Sequence, residues 1–247
     1  MHRISSKYIL ALTTMAFGFS ASVVYAQTIS LDLGPTGGAT ERALQLIALV
    51  TILSLAPAIL IMVTSFTRII VVLSLLRSAI GTASAPPNTV IVSLALFLTA
   101  FIMTPTGKDI YAKALSPLLN GSITADIAFE RGSDPIRNFM LQHVREKDLT
   151  LFLDIAKQPL PASPEATPLT SLVPAFMISE LRRAFEIGFL LFMPFLVIDL
   201  VVASILMSVG MMMLPPTTVS LPFKLIFFVL VDGWSMIAGS LVKSFSP

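Results

Sequence analysis

The sequence predicts an all-α membrane protein, built from helical hairpins that flank a polar and mainly helical insert. Composition carries this prediction, because 55% of the residues are hydrophobic and only 12% are charged, against about 25% charged in soluble domains. The distribution of charge adds to it, since half of the Asp, Glu, Lys and Arg residues fall within 108–173. Apolar segments therefore bracket a polar middle.

The composition also argues against several classes of function. With no cysteine, the chain can form no disulfide framework and offers no thiolate nucleophile or cysteine metal ligand. The net charge of +2 is small and the charges are scattered, which argues against a nucleic-acid-binding surface. No cofactor is predicted.

Residues 1–26 have the pattern of a secretory signal peptide. Arg3 and Lys7 precede an apolar run, and Ala26 stands where cleavage is expected. A retained first transmembrane helix is the alternative, because the run is long. If the chain is cleaved after Ala26, residues 27–42 form a flexible arm outside the cytoplasm, since they contain several Gly residues and a Pro.

Residues 43–107 are predicted to hold the first pair of hydrophobic helices. The stretch 43–67 carries no charge and is long enough to cross about 30 Å of hydrocarbon, with a kink expected at Pro57. Gly and Pro residues at 81–88 break the helical pattern. A second apolar segment, 89–103, follows and is expected to end at Pro105 and Gly107.

The connection between these two helices is positively charged. Arg68 and Arg77 have no acidic neighbour in the sequence, which predicts a cytoplasmic position for this connection by the positive-inside rule. We expect both arginines to anchor an assembly rather than to bind a substrate.

Residues 108–173 are predicted to form a water-exposed, mainly helical insert on the opposite, periplasmic side. Asp134 followed by Pro135 is typical of a helix start, and we expect that helix to run through His143. A further helix is predicted at 149–156, where apolar residues recur at helical spacing. His143 is expected to be exposed, and no second ligand type lies near it to complete a metal site.

Residues 174–247 are predicted to hold the second pair of hydrophobic helices. At their start, Glu180 is spaced to meet Arg183, and Arg182 is spaced to meet Glu186, on one helix. These pairs have two interpretations. They are solvated or interfacial ion pairs, or they hold neighbouring subunits in register.

Asp199 lies inside the longest apolar run, at 187–209. Fifteen Leu, Ile, Phe or Val residues in this run, at roughly −0.3 to −0.6 kcal/mol each, outweigh the cost of one acid, about 2.5–3.5 kcal/mol. Insertion is therefore still favoured. An acid at membrane depth usually faces a bundle interior or a wet cavity and has a partner, and snorkelling toward water is the alternative.

The last apolar segment, 223–242, is less favourable for insertion. Its eleven Leu, Ile, Phe or Val residues are set against Asp232 and Lys224, and the transfer free energy is near zero on the same scale. Such a segment is expected to pack inside an assembly. Lys224 is too far from Asp232 to pair within one helix, whereas a hairpin around Pro215 would bring Lys224 to Asp199.

Three consecutive methionines, Met211, Met212 and Met213, precede two prolines. Three neighbours cannot share one helix face, so the run indicates a loop or a helix end. Methionine is unbranched and polarizable, which suits core filling and also suits a surface that seals and then repacks. Taken alone, the residues favour core filling.

Four stretches of the sequence are long and specific enough to indicate a family. They read MVTSFTRIIVVLSLLRSAIGTASAPPN at 62–88, PAFMISELRRAFEIGF at 174–189, PFLVIDLVVASILMSVGM at 194–211 and LPFKLIFFVLVDGW at 221–234. All four resemble the FliP family of flagellar export-gate membrane proteins, whose injectisome relative is SctR.

The resemblance implies a function and a set of partners. It implies a pore-forming subunit of the flagellar type III protein export gate, in the bacterial inner membrane at the flagellar basal body. It also implies a helical homo-oligomer of about five copies. The implied partners are FliQ-like and FliR-like proteins, a larger export-gate protein and unfolded exported polypeptides. The methionine run resembles the gasket that seals the pore of this family.

Three other functions are weighed against this one. Injectisome secretion is the first, and the signal-peptide pattern favours the flagellar branch. A secondary ion-coupled transporter would use Asp199, Lys224 and Asp232 as a relay, but it predicts an internal repeat, and none is convincing. An intramembrane enzyme is disfavoured because no metalloprotease, serine-hydrolase or phosphate-loop motif occurs. We therefore predict no catalytic residue and no enzymatic activity.

Overall fold

The computed structural model describes residues 39–245, apart from residues 83, 160, 162, 212 and 213. The predicted signal peptide and most of the predicted arm lie outside the described residues. The chain divides into two compact units, Met1–Thr51 and Ile52–Pro247. All regular structure in the described residues is helical, as the sequence predicted.

Nine α-helices are assigned within the described residues, and two short non-α turns accompany them. A π-helical turn at Tyr111–Leu115 joins α3 to α4, and a 3-10 turn at Pro164–Ala166 precedes α7. In chain order the α-helices are α1 Ala39–Met62, α2 Phe66–Ile80, α3 Asn88–Ile110, α4 Ser116–Leu119, α5 Ala125–His143, α6 Glu146–Ile155, α7 Leu169–Ser208, α8 Pro216–Leu230 and α9 Gly233–Lys243.

The core of the second unit is built around α2, which packs along α7. Buried residues of α2 recur every three or four positions, which is one face of an α-helix. Each of these large side chains contributes about 1.5–3 kcal/mol when it is fully buried. The stripe consists of Ile69, Val72, Leu73, Leu76 and Ile80.

Close packing of α2 against α7 requires a glycine at position 188. A Cβ atom added there would lie 2.3 Å from Leu75 Cδ1, closer than real Cβ atoms approach a neighbour. The α2 helix ends as predicted, because Gly81 takes a left-handed conformation with φ 86° and its N–H bonds to the carbonyls of Arg77 and Ser78.

The helix that begins at Asn88 does not end by Pro105, contrary to the prediction. It continues through Pro105 and the π-helical turn as far as Leu119. Proline removes one helical hydrogen bond, while the turns on either side keep theirs. α1 likewise continues through Pro57, and the turn that ends it lies at residues 63–65.

The helix predicted to start at Asp134 begins earlier, at Ala125, so that prediction is wrong. Pro135 lies inside α5 and is buried, and Asp134 forms an ion pair with Arg137 instead of capping a helix. The next predicted helix is confirmed as α6, with Leu153 buried at its inner face. Both helices pack against the first half of α7.

The last apolar segment is two helices rather than one. α8 and α9 are bent by 62° at a break, where Asp232 takes a left-handed conformation with φ 49°. Two prolines, Pro215 and Pro216, stand at the N-terminus of α8, where the missing N–H of proline costs no hydrogen bond.

Two stretches of the described chain are long and apolar enough to cross a membrane, Asn88–Leu119 and Leu169–Ser208. The number rises to four if each bent helix pair is taken as one span. The most apolar window of Leu169–Ser208 is only 11% buried within the chain. Its outer surface is therefore uncovered by the chain's own helices.

Candidate functional site

Arg68 and Glu180 form an ion pair in the centre of the second unit, with side chains only 1% and 0% exposed. Arg68 Nε donates to Glu180 Oε2 at 2.8 Å, and Nη2 donates to the other carboxylate oxygen. Nη1 donates to the carbonyl and the hydroxyl of Ser244, at 3.1 and 3.0 Å. This bidentate pair joins α2, α7 and the end of α9.

This pairing corrects two predictions. Glu180 bonds to Arg68, which is 112 residues away, rather than to Arg183 one turn further along its own helix. Arg68 is neutralised and buried, so it supplies no exposed positive charge to the connection after α1. Arg77, which is half-buried, is then the remaining positive charge that favours a cytoplasmic position for this segment.

An aromatic stack covers the Arg68 guanidinium. The Phe245 ring lies 3.7 Å from Arg68 Cζ, which is a cation–π contact. Phe245 also stacks with His143 and with Phe139, at distances of 5.0 and 6.1 Å between ring centroids. The end of the chain therefore links the ion pair to α5.

His143 is buried in this stack, contrary to the predicted exposed position. Its Nδ1 lies 3.1 Å from the Phe139 carbonyl, and its imidazole stacks on the Phe139 ring. Burial is the main cause that lowers the pKa of His143 to about 4, and the nearby positive charge of Arg68 contributes to this lowering. The imidazole is therefore neutral at physiological pH.

A second polar cluster, which the sequence reasoning missed, ties α6 to α7. Ser179 Oγ donates to Asp148 Oδ2 at 2.7 Å and accepts from the Arg145 backbone N–H at 3.0 Å. Arg145 also donates twice to the Asp148 carboxylate, at 3.0 Å. Burial raises the pKa of Asp148, but the bonds from Ser179 and Arg145 outweigh it and lower the pKa. The one sequence feature that could have indicated this cluster is the position of Ser179 beside Glu180.

Asp199 and Lys224 form the pair that the hairpin argument predicted. Lys224 Nζ lies 2.6 Å from Asp199 Oδ2, with exposures of 7% and 31%. Ser220 Oγ donates to the other oxygen of Asp199 at 2.5 Å, and Lys224 Nζ donates to the Ala79 carbonyl at 3.3 Å. The cluster joins α7, α8 and the C-terminal end of α2.

The remaining predicted site residues lie apart from these clusters. Arg182 and Glu186 form the predicted pair at 2.8 Å, but they are 58% and 59% exposed. Arg183 is half-buried, and Asp232 is exposed. Met211 is exposed beyond the end of α7; Met212 and Met213 lie outside the described residues.

Large apolar side chains face outward on α3 and on α7 to α9. Such a surface is far larger than the patch that a soluble monomer leaves uncovered. Examples are Phe97 and Phe101 on α3, Leu190 and Leu200 on α7, and Val229 and Leu230 on α8.

Side chains with metal-binding chemistry do not cluster in the part of the chain that the structure describes. Its His, Asp and Glu residues include no group of three that could hold a metal ion. The polar clusters described above are closed by their own hydrogen bonds. Their chemistry is structural, since each cluster joins two or more helices.

Ion pairs buried between helices, together with long uncovered apolar helices, define a class: a helical protein compatible with insertion in a membrane. The FliP family model matches residues 49–241, and the chain belongs to this family.

Three similar proteins are each named flagellar biosynthetic protein FliP. The chain is 57% identical to the one from Caulobacter vibrioides, over 96% of this chain and 90% of the relative. It is 55% identical to the one from Bacillus subtilis, over 83% and 93%. For the protein from Aquifex aeolicus the identity is 50%, over 92% and 95%.

Proposed function

We propose that the chain is a pore-forming subunit of the flagellar type III protein export gate, needed for flagellum assembly. The names of its relatives support a flagellar function over use in an injectisome. The observation that carries the proposal is the outward apolar surface of α7, which is only 11% buried in its most apolar window. This surface needs a covering of lipid or of other subunits.

The length of α7 supports a position only partly within the bilayer. Its 40 residues extend over about 60 Å, whereas the hydrocarbon core is about 30 Å thick. The exposed Arg182–Glu186 pair lies in the first half of the helix, where an exposed ion pair needs water. We infer that the first half stands outside the hydrocarbon together with the insert, 108–173, on the periplasmic side.

We infer the same division of the chain that the sequence predicts. Residues 1–26 are a signal peptide and residues 27–42 a periplasmic arm, followed by two pairs of hydrophobic helices, 43–107 and 174–247, on either side of the insert. The protein is then a multi-pass protein of the bacterial inner membrane, in the flagellar basal body. Mass measurement of the mature amino terminus tests the cleavage after Ala26.

The proposed assembly is a helical homo-oligomer of about five copies. FliQ-like and FliR-like proteins would cover further apolar surface, and a larger export-gate protein would deliver unfolded polypeptides. The Arg68–Glu180 and Asp199–Lys224 pairs make each copy rigid, because they connect α2, α7 and the last two helices. A rigid subunit can present its apolar faces to neighbours in fixed positions.

The proposed gasket is the methionine run, Met211 to Met213. Met211 is exposed and follows Gly210, whose φ of 78° turns the chain away from the axis of α7. A flexible thioether at such a turn can seal a pore and then repack around a passing chain. Replacing all three methionines by Ala should let small solutes leak through a resting gate while export continues. Unchanged permeability would refute the gasket.

Native mass spectrometry of the complex, co-produced with its neighbouring gate proteins and extracted in detergent, tests the proposal. We expect several copies of this chain in one particle, and a deletion strain without flagella. A chain that stays monomeric in the presence of its neighbours would overturn the proposal. A deletion strain that keeps its flagella but loses uptake of a solute would favour a transporter.

A further inference from the structure

Two charged side chains in α2, α8 and the break after α8 have no oppositely charged partner among the residues that the structure describes. Arg68 is neutralised by Glu180, and Lys224 is neutralised by Asp199. This leaves one cation, Arg77, and one anion, Asp232. Both belong to segments that are otherwise apolar, where an unpaired charge is costly whether the surroundings are lipid or protein.

Asp232 is held outward by its backbone. It occupies the position before α9 with φ 49° and ψ 50°, yet its carboxylate makes no capping hydrogen bond. The next residue must be glycine, because a Cβ on Gly233 would lie 2.2 Å from the Phe228 ring. Its neighbours Leu230 and Trp234 are 80% and 40% exposed. The carboxylate is therefore an exposed charge in the middle of an apolar surface.

Within the described part of the chain, the hydrogen bonds of Arg77 go to neutral groups. Its Nη1 donates to Asn88 Oδ1 at 2.5 Å and to the Pro86 carbonyl at 3.3 Å, and its side chain is half-buried. On the same helix, Ser74 and Ser78 line an open groove of about 220 Å³. Small residues one turn apart allow a neighbouring helix to come close.

We propose that Asp232 of one copy pairs with Arg77 of the next copy, and that the apolar residues around Asp232 dock beside the α2 groove. The proposal rests on the homo-oligomer argued above and names one of its contacts. A second copy is the occupant because it supplies the missing charge of opposite sign at each end. Lipid acyl chains would leave both charges unpaired.

The geometry predicts the kind of interface that this pair makes. Lys224 reaches the Ala79 carbonyl, so α8 meets α2 at that level. Asp232 follows Lys224 by eight residues, about 12 Å at helical rise, whereas Arg77 precedes Ala79 by two residues, about 3 Å, so the two charges are offset. The long arginine side chain covers part of this offset. The axial rise between copies in a helical assembly supplies the rest, because such an interface is heterologous and need not close into a flat ring.

Cysteine crosslinking tests the pair directly, because the native chain has no cysteine. Chains carrying Asp232→Cys and chains carrying Arg77→Cys, with different tags, are co-produced with the gate proteins and treated with a short thiol crosslinker. We expect a mixed dimer only when both variants are present. Lys243→Cys, on the exposed end of α9, serves as the control and should give no dimer with Arg77→Cys.

Charge reversal gives a second readout. Asp232→Lys should reduce the assembled complex about tenfold, and Arg77→Glu in the same chain should restore it. A native oligomer without the crosslink, or a crosslink from Asp232→Cys to a FliQ-like or FliR-like protein instead, would overturn this inference and leave the proposed function standing. A wild-type chain that stays monomeric would refute the proposed function itself.

Discussion

Replacing Glu180 by Gln should destabilise the protein more than most single changes. The substitution keeps the shape of the side chain and removes its charge, so Arg68 is left buried without a counter-charge. Both side chains are fully buried in the native protein, at 1% and 0% exposure. No water is then available to replace the lost carboxylate.

The expected magnitude follows from that burial. Removing one partner of a buried ion pair costs about 3–5 kcal/mol, because the remaining charge is uncompensated. For a chain of this size each kcal/mol lowers Tm by about 2–4 °C, so Glu180→Gln should lower Tm by roughly 6–20 °C. Replacing both residues by Met should recover much of the loss, since no unpaired charge remains.

The chain offers a matched control on the same helix. Glu186 pairs with Arg182 at 2.8 Å but is 59% exposed, and exposed pairs contribute about 0–1 kcal/mol. Glu186→Gln should therefore leave Tm almost unchanged. The assay heats the detergent-extracted complex and measures the soluble chain by immunoblot at each temperature, with swimming motility as the cellular readout.

One result would refute the reasoning about the buried pair. If Glu180→Gln and Glu186→Gln gave the same Tm as the wild type, Glu180 would contribute no more than an exposed glutamate. A double Met variant less stable than either single variant would also count against it, because the loss would then arise from packing rather than from an unpaired charge.

Two further predictions concern packing and pH. Gly188→Ala should lower the free energy of unfolding by about 1–3 kcal/mol, because its Cβ would lie 2.3 Å from Leu75 Cδ1. Adding Leu75→Ala should restore part of this stability. Gly239→Ala is the control and should leave stability unchanged in the same thermal assay, because no atom lies within 4 Å of the added Cβ. Because the pKa of His143 is lowered to about 4 in the folded protein, the unfolded chain binds a proton that the folded chain does not as the pH falls below about 6.5. The free energy of unfolding should therefore fall by about 3 kcal/mol between pH 6.5 and pH 4. His143→Phe should remove this part of the pH dependence. Equal pH profiles of stability for the wild type and the variant would contradict this prediction.

Much of the helical framework was predictable from the sequence. The long uncharged segments identified the apolar helices, and the Gly and Pro residues at 81–88 located the break between α2 and α3. The pairing of Asp199 with Lys224 was also predictable, because the two residues flank one hairpin and lie only 25 positions apart. In each of these cases the signal lies within a short stretch of chain.

The errors share a different cause. Glu180 has a suitable partner one turn away in Arg183, but it is buried against α2 and pairs there with Arg68. The Asp134–Pro135 pair is a common helix start, yet it lies inside α5 because the helix begins nine residues before Asp134, at Ala125. His143 looked exposed because its partners, Phe139 and Phe245, meet only in the folded chain.

The sequence by itself determined the family, the helical class and which segments are too apolar for water. Hydropathy and helix propensity are sums over neighbouring residues, so both can be read from the sequence alone. Only the tertiary structure decided which charges neutralise each other, and that Arg77 of α2 and Asp232 after α8 have no oppositely charged partner among the described residues. The choice of ion-pair partners depends on which helix faces pack together, and helices more than a hundred residues apart in the sequence can meet. No local sequence pattern predicts these contacts.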